Sequence, residues 1–281
     1  MNNLLKLLII VNLSWAVGFQ SLLIPPNSEQ LSTSSTGIAG SLDPFLNPAI
    51  DTSQSYLQYS INTWLGDQKG NQGLIKWGGK IPQQFSIQTW NAEKIELRGD
   101  YPSDSPLETF STHFISTSYS ISHDFNTHFR FGISIKANYS RILTESMKGL
   151  AIDLGTSIPI SNNYKLGVVI RNLGEQTNQK IKSKFPIEYG FGSFAFIPKV
   201  KTSILSDIVY NEIGTEFRVA IKTNWKFINL NAGSTILGNR KAQAIGLVIN
   251  YKKWRVNYSV FFHDECQICG IPKFIDIRRY L

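Results

Sequence analysis

Much of what an ordinary soluble enzyme carries is missing from this chain. Charged residues make up only 17% of its 281 positions, against about a quarter in typical globular domains. No nucleophile elbow, no zinc-binding His-Glu-x-x-His and no phosphate-cradling glycine loop occurs anywhere, so the common hydrolase and nucleotide-binding layouts are excluded. After residue 18 there is no apolar run of the roughly 18 residues that a membrane helix requires. Lysine and arginine give a formal charge of +8, yet they are scattered singly, with no basic cluster interleaved with aromatics. That spread argues against nucleic-acid binding and suits a solvated or membrane-facing surface.

What is present points to export. Met1–Lys6 is short and basic, Leu7–Val17 is mostly apolar, and Ala16-Val17-Gly18 reads as a small-x-small cleavage site. This is the layout of a secretory signal peptide over residues 1–18, with an apolar core too short to span a bilayer. No cysteine stands directly after the apolar run, which disfavours a lipid-anchored lipoprotein. The mature chain is then either an exported soluble β protein or an outer-membrane barrel.

The body of the chain alternates. Phe129, Phe131, Ile133, Ile135, Ala137 and Tyr139 interleave with polar or small residues, as do Ile115, Thr117, Tyr119 and Ile121 with Ser116, Ser118, Ser120 and Ser122. The same period of two runs through Leu150–Ile160, Phe217–Trp225 and Trp254–Phe262. Sustained over nine to twelve residues, it has the length of a tilted membrane-crossing strand. Fourteen such runs are predicted, at about 55–65, 73–81, 85–98, 110–123, 128–144, 149–160, 164–172, 187–196, 200–209, 215–224, 228–236, 243–250, 254–262 and 272–281. An even count, with short connections alternating with longer ones at 99–109, 173–186 and 263–271, predicts an all-β, antiparallel transmembrane β-barrel over residues 55–281. Trp64, Trp77, Trp90, Trp225 and Trp254 fall near strand ends, where an interfacial girdle would place them and a sandwich core would place them less readily.

Residues 19–54 differ. Proline and glycine there deny a regular strand or helix, so the segment either plugs the barrel lumen or acts as a linker. Catalytic chemistry is weakly supported: His113, His123, His128 and His263 sit at strand ends or on polar faces, and no enzyme or cofactor is expected. His263-Asp-Glu-Cys266-Gln-Ile-Cys269 is the sharpest local cluster. A lone Cys-x-x-Cys lacks the second half of a zinc ribbon and the context of a redox fold. In an exported protein, a Cys266–Cys269 disulfide closing a surface loop is the leading reading, with free thiols next.

Three stretches resemble the PorV/PorQ family of outer-membrane proteins, FadL-like barrels associated with type IX secretion. The first is Leu23-Ile24-Pro25-Pro26, leading through Gly37-Ile-Ala-Gly40 to Asn47-Pro48-Ala49. The second is Gly149-Leu-Ala-Ile-Asp153-Leu-Gly155 followed by Lys165–Gly174 with Asn172 and Gly174, and Glu175-Gln176 is similar to the PorQ branch. The third is the ending, a Tyr-bearing strand, a loop with Gly270 and a final strand. An Arg-Ala-x-x-x-Gly-Gly tract and a terminal Phe, usual in the family, are absent. The resemblance implies a non-enzymatic outer-membrane barrel, set among membrane lipid, whose partners are secretion-system components and secreted cargo. A FadL-like transporter of hydrophobic small molecules is the alternative.

Overall fold

The structure is a computed structural model that describes residues 20–40, 43–49, 54–97, 105–126, 129–178, 182–263 and 270–281. The predicted signal peptide and both cysteines lie outside the described residues.

Fifteen strands form one antiparallel sheet. They are β1 (Tyr56–Thr63), β2 (Lys69–Trp77), β3 (Gln83–Leu97), β4 (Glu108–Asn126), β5 (Phe129–Ile142), β6 (Glu145–Ser161), β7 (Tyr164–Thr177), β8 (Lys182–Lys184), β9 (Glu188–Ile197), β10 (Thr202–Asn211), β11 (Gly214–Trp225), β12 (Ile228–Leu237), β13 (Arg240–Tyr251), β14 (Trp254–His263) and β15 (Lys273–Tyr280). The first strand pairs with the last, from Tyr56 opposite Tyr280 to Thr63 opposite Lys273, and β6 pairs with β7. The sheet therefore closes as a fourteen-stranded barrel, with β8 a short extra strand hydrogen-bonded to the end of β7. Closure leaves no unpaired edge around the wall, the condition for a sheet to sit in hydrocarbon.

The alternation in sequence is the alternation of faces. Ile135, Val219 and Ile245 point outward and are 52%, 54% and 54% exposed, whereas Ser134, Ala220 and Ala244 point inward and are 2%, 2% and 1% exposed. The outer wall is thus an apolar surface, and the inner wall is mainly Ser, Gln, Asn and charged residues, with an aromatic cluster toward one end. This inversion of the soluble pattern is stable only if lipid replaces water outside.

Three details differ from the sequence expectation. Strand β2 begins at Lys69 rather than near 73, because Gly70 and Gly73 dilute the apolar pattern there. The connections 98–107, 178–187 and 264–272 are long at one end, but 143–144, 212–213 and 238–239 at that same end are tight turns. The tryptophans divide. Trp77, Trp225 and Trp254 are exposed at the short-turn end, while Trp90 is buried inside the barrel and Trp64 packs there against Phe261 and Phe274. Trp90 shares strand parity with the buried Ser86 and Gln88, which places it on the inner face.

Candidate functional site: a plugged lumen

The described residues of 25–40 and 43–49 lie in the barrel interior and are buried almost throughout. Between the two regular-structure breakers Pro26 and Gly37 the chain forms a one-turn helix, α1 (Ser28–Ser32), where the sequence predicted none. Its signal is local: Asn27 is the N-cap, and its side-chain oxygen accepts from the Gln30 amide at 3.0 Å. Helix α1 packs against β13, β14 and β15.

Acidic residues of the wall and plug supply the fasteners. Asp276 on β15 accepts from the amides of Ser28 and Glu29 at 2.9 and 3.2 Å, a carboxylate at a helix N-terminus. The Glu29 carboxylate in turn meets Lys222 at 3.1 Å, Arg278 at 3.1 Å and Arg255 at 3.5 Å. Burial alone would raise the Glu29 pKa, but Arg255, Lys222 and Arg278 outweigh it and hold the carboxyl well below the usual range. Further along, Asp207 on β10 accepts from the amides of Gly37 and Ile38 at 2.6 and 3.1 Å. Asn47 donates to the Ile38 and Thr156 carbonyls, each at 2.8 Å, and accepts from the Ala49 amide.

The wall makes room for the plug by omitting side chains. A Cβ on Gly132 would overlap the Pro48 backbone, and one on Gly155 would overlap Asn47. Those two glycines let the Asn47-Pro48-Ala49 segment lie directly on strands β5 and β6.

A β-bulge builds the third contact region. Ile152 pairs with Leu173 and Leu154 with Ile170, so Arg171 and Asn172 together face Asp153. Asn172 adopts φ 61°, within the left-handed region that Asn tolerates better than most residues. The bulge turns two consecutive side chains into the lumen. Asn172 donates its amide to Asp153 at 2.8 Å and its side chain to the Pro186 carbonyl, and Lys136 joins Asp153 at 2.6 Å and Asn172 at 2.9 Å. Arg171 pairs with Glu188 at 2.8 Å and donates to the Phe45 carbonyl of the plug; Arg218 pairs with Glu216 at 2.6 Å and donates to the Ser35 carbonyl.

The structure brings some of the sequence-predicted positions together and leaves others apart. Pro25 and Pro26 are buried, with the Pro26 carbonyl accepting from Asn62. Asn47, Pro48 and Ala49 rest on Gly155 and its neighbour Gly132, and Asp153 binds Asn172. Gly174 lets β7 run close to β6, where a Cβ would overlap the Leu150 carbonyl. Sequence reasoning missed Glu29, Asp207, Asp276 and Arg278, whose partners lie far away along the chain. Among the histidines, His113 bonds Asn91, His123 sits edge-on to Phe125 and His263 stacks on Phe261.

Between the plug and the bulge region remains a cavity of only about 40 Å³, bordered by Lys136, Arg171, Glu188 and Arg218, room for a few waters. Toward the long-loop end the interior turns apolar. Leu31, Trp90, Phe114 and Phe274 cluster with Leu22, Ile24, Trp64 and Phe261. Beside them a pocket of about 190 Å³ is bordered by Trp90, Phe114 and Ile142 and by the polar Gln68, Asn91 and His113.

No protein-family model and no curated protein sequence matches this chain. Solved structures do match. The CymD monoaromatic hydrocarbon channel aligns with a TM-score of 0.65 at 9% identity, covering 92% of this chain and 98% of that one. The TodX deltaS2S3 mutant monoaromatic hydrocarbon channel gives 0.63 at 10% identity, over 90% and 97%. A Pseudomonas aeruginosa FadL homologue gives 0.59 at 9% identity, over 92% and 98%. At such identities the likeness is one of fold: a closed outer-membrane β-barrel.

Proposed function

We propose that this protein is a non-enzymatic outer-membrane channel for small hydrophobic molecules, held closed by its own N-terminal segment. The observation that carries the reading is the pocket of about 190 Å³, walled in part by Trp90, Phe114 and Ile142, beside the aromatic cluster at the long-loop end of a barrel whose remaining lumen is largely polar and filled. A cavity of about 150 Å³ is enough to hold benzene, so the volume suits a single ring or a short alkyl chain. The structural neighbours are hydrocarbon channels, which supports the same reading. Cells expressing the chain should take up radiolabelled toluene faster than cells lacking it, and Trp90→Ala should alter the concentration dependence of uptake. Equal uptake with and without the protein would defeat the proposal.

A second reading keeps the barrel but not the transport: a PorV/PorQ-type component of type IX secretion, contacting cargo or translocon through the long connections 98–107, 178–187 and 264–272. It is favoured by the seating of the resemblance positions Asn47 and Pro48 on Gly155, which helps fix the plug, since a sealed lumen suits a barrel that holds proteins. Under this reading gene deletion strands secreted cargo in the periplasm and leaves uptake of hydrophobic compounds unchanged.

A further inference from the structure

The short-turn end of the barrel carries a charge pattern that neither transport nor plugging uses. From β9 to β15, successive hairpins bring Lys199, Lys201, Lys226, Lys252, Lys253 and Arg279 to one continuous arc of the rim, all exposed. Among the described residues of this half of the wall, the carboxylate side chains lie elsewhere. Glu188, Asp207, Glu216 and Asp276 face the lumen, and Glu212 is in the turn 212–213 at the opposite end. At the long-loop end, by contrast, cations are interleaved with acids, as in Lys182 beside Glu175.

The backbone adds an independent observation. Lys201, Lys226 and Lys252 occupy φ 50°, 55° and 53° in three successive short turns. Glycine or asparagine adopts that conformation at lower cost. A side chain kept at a strained position signals a use for it, and here the same side chain recurs three times along one rim.

Depth identifies the partner. The lysines lie just beyond a belt of exposed aromatics, Trp225, Phe227, Tyr251 and Trp254. Arg279 sits 5.5 Å from the Trp254 ring and the Lys252 ammonium 5.3 Å from the Tyr251 ring. Aromatic belts mark the level of the headgroups, so cations immediately outside them stand at the height of lipid phosphates. We infer that this arc binds anionic glycerophospholipids of the leaflet on the short-turn side. The lysines and Arg279 engage headgroup phosphates while the aromatic rings hold the glycerol level. The surface is remote from the long-loop-end pocket, and its role holds whichever solute or partner the barrel serves.

The test uses the full-length barrel reconstituted in phosphatidylcholine vesicles doped with either brominated phosphatidylglycerol or brominated phosphatidylcholine. Bromine quenches nearby tryptophan, and Trp225 and Trp254 lie within the arc. Each lysine near an anionic surface contributes about a fivefold preference, so phosphatidylglycerol should quench at several-fold lower mole fraction than phosphatidylcholine. The preference should vanish in 1 M salt and in the combined variant K199N/K201N/K226N/K252N/K253N, whose asparagines keep the turns folded. Retention of the heat-modifiable gel shift confirms the barrel. Equal quenching by both lipids, or a preference that survives the substitutions, overturns the inference. So does a rim that shows no lipid preference but crosslinks from Lys226 or Lys252 to an acidic protein.

Discussion

Glu29 is the residue whose loss should do most to loosen the plug. It is the only carboxylate of helix α1, buried in the lumen, with Lys222, Arg255 and Arg278 around it at 3.1–3.5 Å. Glu29→Gln keeps the volume and some hydrogen bonding but leaves three cations facing one another in a site shielded from water. Breaking a buried ionic cluster by removing one member costs about 3–5 kcal/mol. Asp276 and Asp207 still hold the Ser28, Gly37 and Ile38 amides, so the plug is weakened at one end rather than expelled. Referred to a docked–undocked equilibrium, that cost multiplies the undocked fraction roughly a hundred- to a few-thousand-fold. Planar-bilayer recording should show frequent openings in the variant and rare ones in the parent, and amide exchange at Leu31 should accelerate while strand amides stay protected. An intact barrel with unchanged conductance and exchange would refute the idea that this cluster fastens the plug.

The same cluster fixes a pH dependence. Because Glu29 titrates well below its ordinary value of 4.5 when folded, its stabilisation is fully present above that ordinary value. It is lost only as pH falls through the lower folded value. Glu29's contribution to docking should therefore be complete at pH 5 and above and be lost in stronger acid, and Glu29→Gln should remove that share of the acid response.

Other perturbations separate the wall from its contents. Ile135→Arg, on the lipid face near mid-strand, should cost about 2–4 kcal/mol in urea unfolding from bilayers; a negligible cost would argue against hydrocarbon at that face. Arg at the inward Ala220 is not innocuous either, because that face is packed, and limited proteolysis of the plug should distinguish the two variants. Gly132→Ala should push the Asn47-Pro48-Ala49 segment off β5 and speed its cleavage by protease without unfolding the barrel, whereas unchanged cleavage would mean the segment does not depend on that close approach. Lys226→Gly should stabilise the barrel in zwitterionic micelles by about 1 kcal/mol, by relieving the left-handed backbone; destabilisation would show the lysine has a packing role.

The barrel wall was legible because its physics is local. A period of two, repeated fourteen times with turns between, fixes which side chains share a face, and lipid outside turns that pattern into an apolar exterior. Ser86, Gln88 and Trp90 are two apart, so parity alone places Trp90 on the inner face with them. The plug was harder to read because its bonds are not local. Asp276 reaches Ser28 across 248 positions and Asp207 reaches Gly37 across 170. Nothing in the spacing of Asp207 or Asp276 distinguishes a carboxylate that caps a helix from one that faces water.

The bulge at Arg171 and Asn172 lies between these cases. In a regular strand two consecutive polar residues cannot both face the lumen, and one of them would be left against lipid. A charged arginine next to an asparagine, inside a run of Val168, Val169, Ile170 and Leu173, therefore demands a break in the alternation. Asparagine is the residue that can supply it, by entering the left-handed region that opens a bulge. The Asn-x-Gly of the resemblance thus has a physical content independent of any family. It marks the point where the wall stops repeating so that Arg171 can reach the plug at Phe45 and Asn172 can lock Asp153. A break in period two within an otherwise regular barrel strand is, on this argument, where a sequence reader should look first for the residues that hold whatever fills the lumen.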